Sequence, residues 1–326
     1  MPPTTMQTVL LATDRRAGPL SAVASPPMLP VGDRPLAAHA ARAAAAAGAT
    51  ELVFAVDDNA GHVQSHFGSR YAGVPVTYAF PDGPGVVAAL DAVADRLDGG
   101  AVVLDAARLY DPAGVAALFE HDAAVGVRGG DRGSADEGAG TVPPPLRAAV
   151  DGVDRGASLA AVVRSVVDDP VSVDVGDAVA VRRPASLVAA NRHALAGAPA
   201  TPPSSLPGST AVSGRVGVAP DASVAPSATV EGPALVAGGA TVGPDAVVSG
   251  PAVVGPDAVV ESGARVESAL LLERATVAAG AGVVGAVLGP GCSLGADASL
   301  AGVTGDRGRG AAAVVPDVRP ARLRYW

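Results

Sequence analysis

Two carboxylates and two arginines have the residue types that a phosphate-handling site needs. Asp105 ends an apolar run at residues 101–104 that predicts a buried strand, and Asp111 follows shortly after it. A carboxylate at the carboxyl end of such a strand is well placed for a ligand. Arg15 and Arg16 follow the first predicted strand, and a guanidinium can bind phosphate through two hydrogen bonds. The plainer interpretation stays open, because an Asp after a strand often caps the next turn and paired loop arginines are usually solvated.

Other reactive residue types point away from catalysis in the second half of the chain. Every histidine precedes residue 197, so none can serve as a general base further on: they are His39, His62, His66, His121 and His193. Cys292 is the single cysteine, cannot form an internal disulfide, and is predicted to fill space, with a reactive thiol as the alternative. A Gly-Gly-x-x-Gly run at 129–133 lacks the flanking strand and helix of a phosphate cradle.

The elements that must position Asp105 alternate between strands and helices. Strands are predicted at 8–12, 51–56, 74–79, 101–105 and 171–175, and helices at 36–47, 59–67, 85–97, 113–121, 157–167 and 184–192. Alternation of this kind predicts an α/β domain with a mostly parallel, helix-covered sheet. Residues 127–145 are rich in Gly, Asp and Pro, and we predict a flexible insert there.

An aliphatic residue returns at every sixth position from Val212 to Leu272, and alanine follows four places later through most of this stretch. The series shifts by one residue to Val277 and Val283, and by one more to Leu288. A period of six fits neither a helix nor an amphipathic strand, and it predicts a parallel β-helix in which three hexads close one coil. The stretch resembles the left-handed β-helix of hexapeptide-repeat proteins.

The chain as a whole resembles the nucleotide-sugar pyrophosphorylases, which join a nucleoside triphosphate to a sugar 1-phosphate. The matching pieces are the first strand and loop, the segment Ser25-Pro26-Pro27-Met28-Leu29-Pro30-Val31, the Gly73-Val74-Pro75 strand, the Tyr110-Asp111-Pro112 turn, and the helix that starts at Pro184. Many members of that family carry a left-handed β-helix after the closing helix. The resemblance implies a Rossmann-like, nucleotidyltransferase-like sheet followed by a left-handed parallel β-helix.

At the positions that the resemblance implies for catalysis, this chain has other residues. The family's phosphate-binding lysine falls on Pro26, and its two metal-binding carboxylates fall on Ala107 and Ala180. Asp14 and Arg16 replace glycines of the phosphate loop, and the nucleobase-reading segment survives in part around Gly85. No catalytic residue is assigned. The nucleotide-binding candidates are Ala12, Thr13, Arg15, Arg16, Gly85 and Asp105, with Asp105 the only candidate for a metal ligand.

Composition limits the partners. The chain of 326 residues has a net charge of −9, and its 23 basic residues are all arginine because it has no lysine. Abundant Asp without Lys is typical of a salt-adapted organism, and an acidic surface argues against nucleic acid and membrane partners. The first residues lack the apolar core of a signal peptide, which favours a cytoplasmic protein.

We therefore predict a nucleotidyltransferase-like domain at 1–196, a Pro/Ser-rich linker at 197–210, a β-helix at 211–305 and a C-terminal cap at 306–326. The favoured function is a pyrophosphorylase-like protein with lost or much reduced catalysis and a regulatory or scaffold role. The alternatives are an active nucleotidyltransferase with a rebuilt site, which would use Mg²⁺, and a hexapeptide-repeat acyltransferase. Without catalysis no cofactor is expected. The expected partners are a nucleotide or sugar phosphate, further copies through the β-helix, and an active homologue.

Overall fold

A computed structural model describes residues 6–13, 20–21, 23–57, 60–97, 99–127, 135–176, 178–197, 210–302 and 313–314. The chain forms two compact units. The first comprises Met1–Arg15, Ser25–Met28 and Leu36–Ala180, and the second comprises Arg16–Ala24, Leu29–Pro35 and Val181–Trp326. The predicted linker at 197–210 lies, apart from its two end residues, outside the described residues, as do Arg15 and Arg16.

The first unit is built on a mixed, mostly parallel sheet. Its strands are β1 (Gln7–Ala12), β4 (Leu52–Val56), β5 (Arg70–Tyr71), β6 (Val74–Ala79), β7 (Ala101–Asp105), β9 (Ala124–Val127), β10 (Ala135–Val142) and β11 (Val171–Asp174). They lie in the order β11-β9-β10-β7-β1-β4-β6-β5. β1 pairs in parallel with β4 and β7, and all its residues are buried, as expected of a central strand covered by helices on both faces. The predicted α/β sheet is confirmed.

The helices of this unit are α1 (Leu36–Ala46), α2 (Ala60–Phe67), α3 (Val86–Val93), α4 (Pro112–Leu118), α5 (Leu146–Val150) and α6 (Leu159–Val166). Helix α1 is alanine-rich, and Gly48 in the turn that follows it has φ +100°. The amide of Gly48 donates to the Ala45 carbonyl, and the amide of Ala49 donates to the Ala44 carbonyl. This pair of hydrogen bonds is a Schellman cap, for which glycine is the favoured residue.

The prediction of a flexible insert at 127–145 is wrong for residues 135–142. Residues 135–142 form strand β10, which lies inside the sheet and pairs antiparallel with both β7 and β9. Its small residues are needed there: a Cβ on Gly140 would lie 2.7 Å from the Ala124 carbonyl oxygen. The glycines that predicted a loop therefore allow close strand packing. Residues 128–134 lie outside the described residues.

The second unit contains the predicted parallel β-helix. It has three parallel sheets, one per face. The first face consists of β13 (Ala211–Ser213), β16 (Thr229–Glu231), β19 (Val247–Ser249), β22 (Arg265–Glu267), β25 (Gly282–Val284) and β28 (Ser299–Ala301). The second face consists of β14 (Val216–Val218), β17 (Ala234–Val236), β20 (Ala252–Val254), β23 (Leu270–Leu271), β26 (Val287–Leu288) and β29 (Ala313–Val314), and the third of β15 (Ser223–Val224), β18 (Thr241–Val242), β21 (Val259–Val260), β24 (Thr276–Val277) and β27 (Ser293–Leu294). β29 lies within the predicted C-terminal cap, so one sheet extends beyond residue 305.

The aliphatic ladder and the alanines together form the core of the β-helix. Val230 pairs with Val212 below it and with Val248 above it, and all hexad alanines from Ala228 to Ala264 are buried. Cys292 is buried in the same core, which supports its interpretation as a filler, and burial raises the pKa of its thiol.

The shift in the hexad series occurs one hexad earlier than the sequence suggested. Val254 pairs with Leu271, not Leu272, so this coil is one residue short of three hexads. The next coil is short as well, since Leu271 pairs with Leu288. Both shortened segments connect a strand of the first face to a strand of the second, so the two deletions lie one above the other and the sheets stay in register.

Helix α7 (Pro184–Gly197) belongs to the second unit, which differs from the predicted boundary at residue 196. It contacts β20, and it also contacts β2 (Pro30–Val31), which forms a hairpin with β3 (Arg34–Pro35). The buried Asn191 side chain joins helix and hairpin: its Oδ1 accepts from the Gly32 amide at 2.8 Å, and its Nδ2 donates to the Pro30 carbonyl. These contacts hold the helix with the β-helix unit.

Among the described residues, no helix is both long enough and apolar enough to cross a membrane.

Candidate functional site

The candidate site lies where strands β1 and β7 end side by side. The chain passes from β1 to β4 and β6 on one side, and then returns to β7 on the other side of β1. Ligands of open α/β sheets bind at such a reversal, outside the carboxyl ends of the strands. Asp105 ends β7 opposite Leu11, and Ala12 and Thr13 follow Leu11 at the same edge. Three of the residues chosen from the sequence are thus brought together.

Two donors among the described residues contact the Asp105 carboxylate. Its Oδ1 accepts from the Ala107 amide at 2.9 Å, which is the turn-capping bond expected of an Asp after a strand. Its Oδ2 lies 3.4 Å from Nε of Arg108, and only 15% and 17% of the two side chains are exposed. The capping interpretation thus describes Asp105 in part, while its second oxygen forms an ion pair.

Tyr110, and Gly138 on the neighbouring strand β10, lie beside Asp105. The Tyr110 hydroxyl donates to the Gly138 carbonyl at 2.8 Å and accepts from the Asp105 amide at 3.1 Å. Gly138 has φ +66°, and a Cβ on it would lie 2.8 Å from Cβ of Asp105 and 3.0 Å from Nε of Arg108. Only a glycine leaves room for the ion pair at this point.

The two alanines at the implied metal positions lie beside this ion pair. The backbone amide of Ala107 donates the hydrogen bond to Oδ1 of Asp105. Ala180 lies on β12 (Val179–Ala180) and pairs directly with Arg108 on the antiparallel strand β8 (Arg108–Leu109). Ala180 is therefore a neighbour of Arg108 although the two are far apart in the sequence, and Arg108 follows directly after Ala107.

The remaining candidates are structural or lie further away. The Asp111 carboxylate caps α4 by accepting from the Ala113 amide at 2.9 Å. Gly85 is the N-cap residue of α3, which follows β6, a strand separated from β1 by β4. Pro26 is buried in a 3₁₀ helix at Pro26–Met28, where it offers no charge.

Arg108, Tyr110 and Gly138 were not selected from the sequence as site residues. The position of Arg108 three residues after Asp105 is a signal that could have suggested an ion pair. Gly138 gave no such signal, because its place opposite Asp105 depends on the pairing of β10 with β7.

A magnesium ion does not fit the Asp105 carboxylate as the structure holds it. Mg²⁺ binds through one or two carboxylates together with phosphates and water, and it needs lone pairs that point to the metal. The Asp105 carboxylate accepts from an amide on one oxygen and faces a guanidinium on the other. Within the described residues, no group of three or more His, Cys, Asp or Glu side chains could hold a metal ion.

Comparison with known proteins agrees with both units. A nucleotidyl transferase family model matches residues 13–127, and a family model of the GMPPB C-terminal domain matches residues 230–307. No curated protein matches the chain. Among solved structures, a protein described as a glucose-1-phosphate thymidylyltransferase from Bacillus anthracis, in complex with sucrose, is 18% identical with a TM-score of 0.49, covering 58% of this chain and 95% of that one.

The two family models match in the order that the sequence motifs predict, the first on the sheet unit and the second on the β-helix. Each model matches less than half of the chain, and in this order the two matches make the chain similar to the nucleotide-sugar pyrophosphorylases.

Proposed function

We propose that this protein is a pyrophosphorylase-like protein that binds a nucleotide or sugar phosphate, has lost most or all of the family's catalysis, and acts as a regulatory or scaffold subunit. The observation that carries the proposal is that both oxygens of the Asp105 carboxylate already have partners. Its carboxylate is occupied by the Ala107 amide and the Arg108 guanidinium, at the strand edge where the reaction would occur.

The chemistry of the family reaction supports this proposal. Transfer of a nucleotidyl group concentrates negative charge, and its acceleration depends on cations placed before the reaction begins. The family typically uses Mg²⁺ for this purpose. Here Ala107 and Ala180 stand at the positions where the resemblance implies carboxylates, and Pro26 stands where it implies a lysine. Loss of a single positioned donor that stabilises the transition state costs roughly 3 kcal/mol, so a chain that lacks all three of these groups is expected to react slowly.

Ligand binding survives more easily than catalysis. The strand order that places the ends of β1 and β7 side by side is retained, and Gly85 still precedes α3 with φ +100°. Binding requires only a complementary surface, whereas catalysis requires groups that favour the transition state over the bound substrate. A regulator that senses a nucleotide needs the first property alone.

The β-helix supports a scaffold role. Its flat parallel faces suit symmetric packing of identical copies, so we propose a homo-oligomer, and a complex with an active homologue would use the same surface. The acyltransferase alternative has little support, because the repeats contain no histidine that could act as a general base.

The test is an assay of pyrophosphate release by the purified protein in high salt, with Mg²⁺, a panel of nucleoside triphosphates and a panel of sugar 1-phosphates. We expect no release above the blank from a sample whose circular dichroism shows that it is folded. Release with a defined substrate pair would contradict the proposal.

In that event Asp105 would be the residue to examine, because it lies at the reversal point of the sheet. A rebuilt site that depends on Asp105 requires Asp105→Ala to lower turnover by at least about a hundredfold, the usual effect of removing a positioned catalytic group. Unchanged turnover would place the chemistry elsewhere.

A further inference from the structure

The first face of the β-helix differs from the other two faces in its charge. Among the described strand residues of the β-helix, the charged ones are Glu231, Arg265 and Glu267, and all three lie on this face. The second face is already in use, because helix α7 contacts β20, where Val253 is buried. The first face therefore offers an exposed surface with charges of both signs.

The side chains of the first face form two outward rows. In each of its strands the middle residue points into the core, as Val266 does, so the residues before and after it point outward. The row before the buried residue consists of Ala211, Thr229, Val247, Arg265, Gly282 and Ser299. The row after it consists of Ser213, Glu231, Ser249, Glu267, Val284 and Ala301. We call them the leading row and the trailing row.

Two neighbouring coils carry features that suit a partner. Arg265 and Glu267 are both exposed on β22, and within the described residues no ion pair involves either of them. On β25, Val284 is 40% exposed. In the other row of the same strand, Gly282 leaves a hollow, since the nearest atom to a Cβ there is Oγ of Ser299 at 3.9 Å.

A second copy of the chain has the complementary features in the right places. A two-fold axis parallel to the axis of the β-helix brings the leading row of each copy opposite the trailing row of the other, coil by coil. Arg265 then faces Glu267 of the second copy, and Val284 faces the hollow at Gly282 of the second copy. Because a two-fold interface repeats every contact, each of these contacts forms twice.

An antiparallel arrangement of two copies leaves the charges unpaired. It brings the leading row opposite the leading row of the second copy, and that row has no carboxylate that could pair with Arg265. Each copy has a net charge of −9, so an interface needs opposite charges that offset the repulsion. The described strands of the third face have no charged residue that could do this.

We propose that two copies of this chain associate through their first faces about a two-fold axis parallel to the β-helix, with Arg265 of each copy paired with Glu267 of the other. This inference rests on the proposed homo-oligomer and goes beyond it by naming the face, the symmetry and the contacts.

The size of the face sets the strength of association. Its sheet has six strands. At the usual spacings of strands and residues it is about 29 Å tall and about 10 Å wide. This area is smaller than that of a standard protein–protein interface, so we expect a dimer that dissociates in the micromolar range.

The experiment is sedimentation equilibrium of the full chain over a range of protein concentrations, at one high KCl concentration. Salt suppresses the general repulsion between the copies, while ion pairs enclosed between them are screened less. We expect the wild type to change from monomer to dimer as its concentration rises.

Reversing either charge should weaken the dimer by tenfold or more, because Arg265→Glu or Glu267→Arg places like charges opposite each other. The variant with both reversals restores the pairing and should associate within threefold of the wild type. An equimolar mixture of the two single variants should also form dimers, since each supplies the charge that the other lacks.

Gly282→Val tests the hollow without changing any charge, and it should weaken the dimer severalfold. Arg192→Glu is the matched control for Arg265→Glu, because Arg192 is an exposed arginine on α7 of the same unit and lies outside the first face. It should leave association unchanged. Circular dichroism and the melting temperature of each variant show whether it is folded.

The outcomes separate this inference from the proposed oligomer. A wild type that stays monomeric at every concentration would overturn the homo-oligomer, and this inference with it. Association that neither single charge reversal weakens would overturn the choice of the first face and leave the homo-oligomer intact. Failure of the double reversal to restore association, or a trimer in place of a dimer, would overturn the two-fold pairing.

Discussion

At the scale of residues, the site is organised by one carboxylate with two donors and by the glycine that faces it. Tyr110 connects them, since its hydroxyl bonds both the Asp105 amide and the Gly138 carbonyl. These groups are mostly buried, so removal of a hydrogen-bond partner here costs about 1–3 kcal/mol.

Replacing Gly138 by alanine tests how tightly the ion pair is enclosed. Gly138→Ala would strain a residue at φ +66° and would push a Cβ to 2.8 Å from Cβ of Asp105. We expect a loss of about 2–4 kcal/mol in the free energy of unfolding by urea, the sum of a backbone cost and an overpacking cost.

Gly73→Ala provides the control, because Gly73 has φ +84° and nothing within 4 Å of its Cβ position. It should cost only the backbone part, about 1 kcal/mol. Equal losses in the two variants would mean that Gly138 is needed for its φ angle and not for the space beside Asp105.

The His66 side chain makes stability depend on pH. Burial lowers the pKa of this imidazole from 6.5. The unfolded chain therefore binds the proton first as the pH falls below 6.5, so the stabilising effect of the neutral imidazole is complete above that pH and is lost below it. The slope from one proton is at most about 1.4 kcal/mol per pH unit.

We expect His66→Gln to flatten the acid side of the stability profile, measured by urea unfolding across this pH range. His62→Gln on the same helix is the control, because His62 is exposed and His66 packs edge-on against Phe67 with ring centroids 4.8 Å apart. The same acid slope in wild type and His66→Gln would refute the assignment to His66.

At the scale of elements, the β-helix corner between the first and second faces permits no side chain at two stacked positions. A Cβ on Gly232 would overlap the Arg215 carbonyl oxygen, and a Cβ on Gly250 would overlap the Pro233 carbonyl oxygen. The backbones of successive coils are in contact here. The later coils omit one residue at this same corner.

Gly250→Ala should therefore destabilise the β-helix by about 2–3 kcal/mol through overpacking, although Gly250 does not have a positive φ angle. Gly282→Ala is the matched change on β25, where the nearest atom to a new Cβ is Oγ of Ser299 at 3.9 Å. It should change the unfolding free energy by less than about 0.5 kcal/mol. Similar effects of both substitutions would show that the corner can relax.

At the scale of the whole molecule, the acidic composition affects stability and association. With a net charge of −9 and no lysine, the chain repels itself at low ionic strength. The scaffold role proposed above also requires copies of an acidic protein to associate. Salt favours this association because it screens the repulsion between their negative charges.

We expect the melting temperature to rise with KCl concentration, and light scattering to show a larger particle at high salt than at low salt. Sucrose at matched osmolarity is the control, since it stabilises proteins without screening charge. A melting temperature that is flat or falls with KCl would contradict the salt-adapted interpretation of the composition.

The sequence alone determined the features that depend on local periodicity. A period of six leaves only a β-helix as a way to bury Val230, Val248 and their counterparts, and alternating apolar runs lead to a covered parallel sheet. The place of Asp105 at a strand end, and its turn-capping bond, also follow from residues close in the sequence.

The tertiary structure decided the features that depend on distant pairing. Strand β10 has the glycine content of a loop and becomes a strand only because β7 and β9 supply hydrogen bonds on both sides. That pairing brings Gly138 to Asp105, and the pairing of β8 with β12 brings Ala180 to Arg108. Such contacts gain their energy from packing between distant segments, which local sequence preferences do not encode.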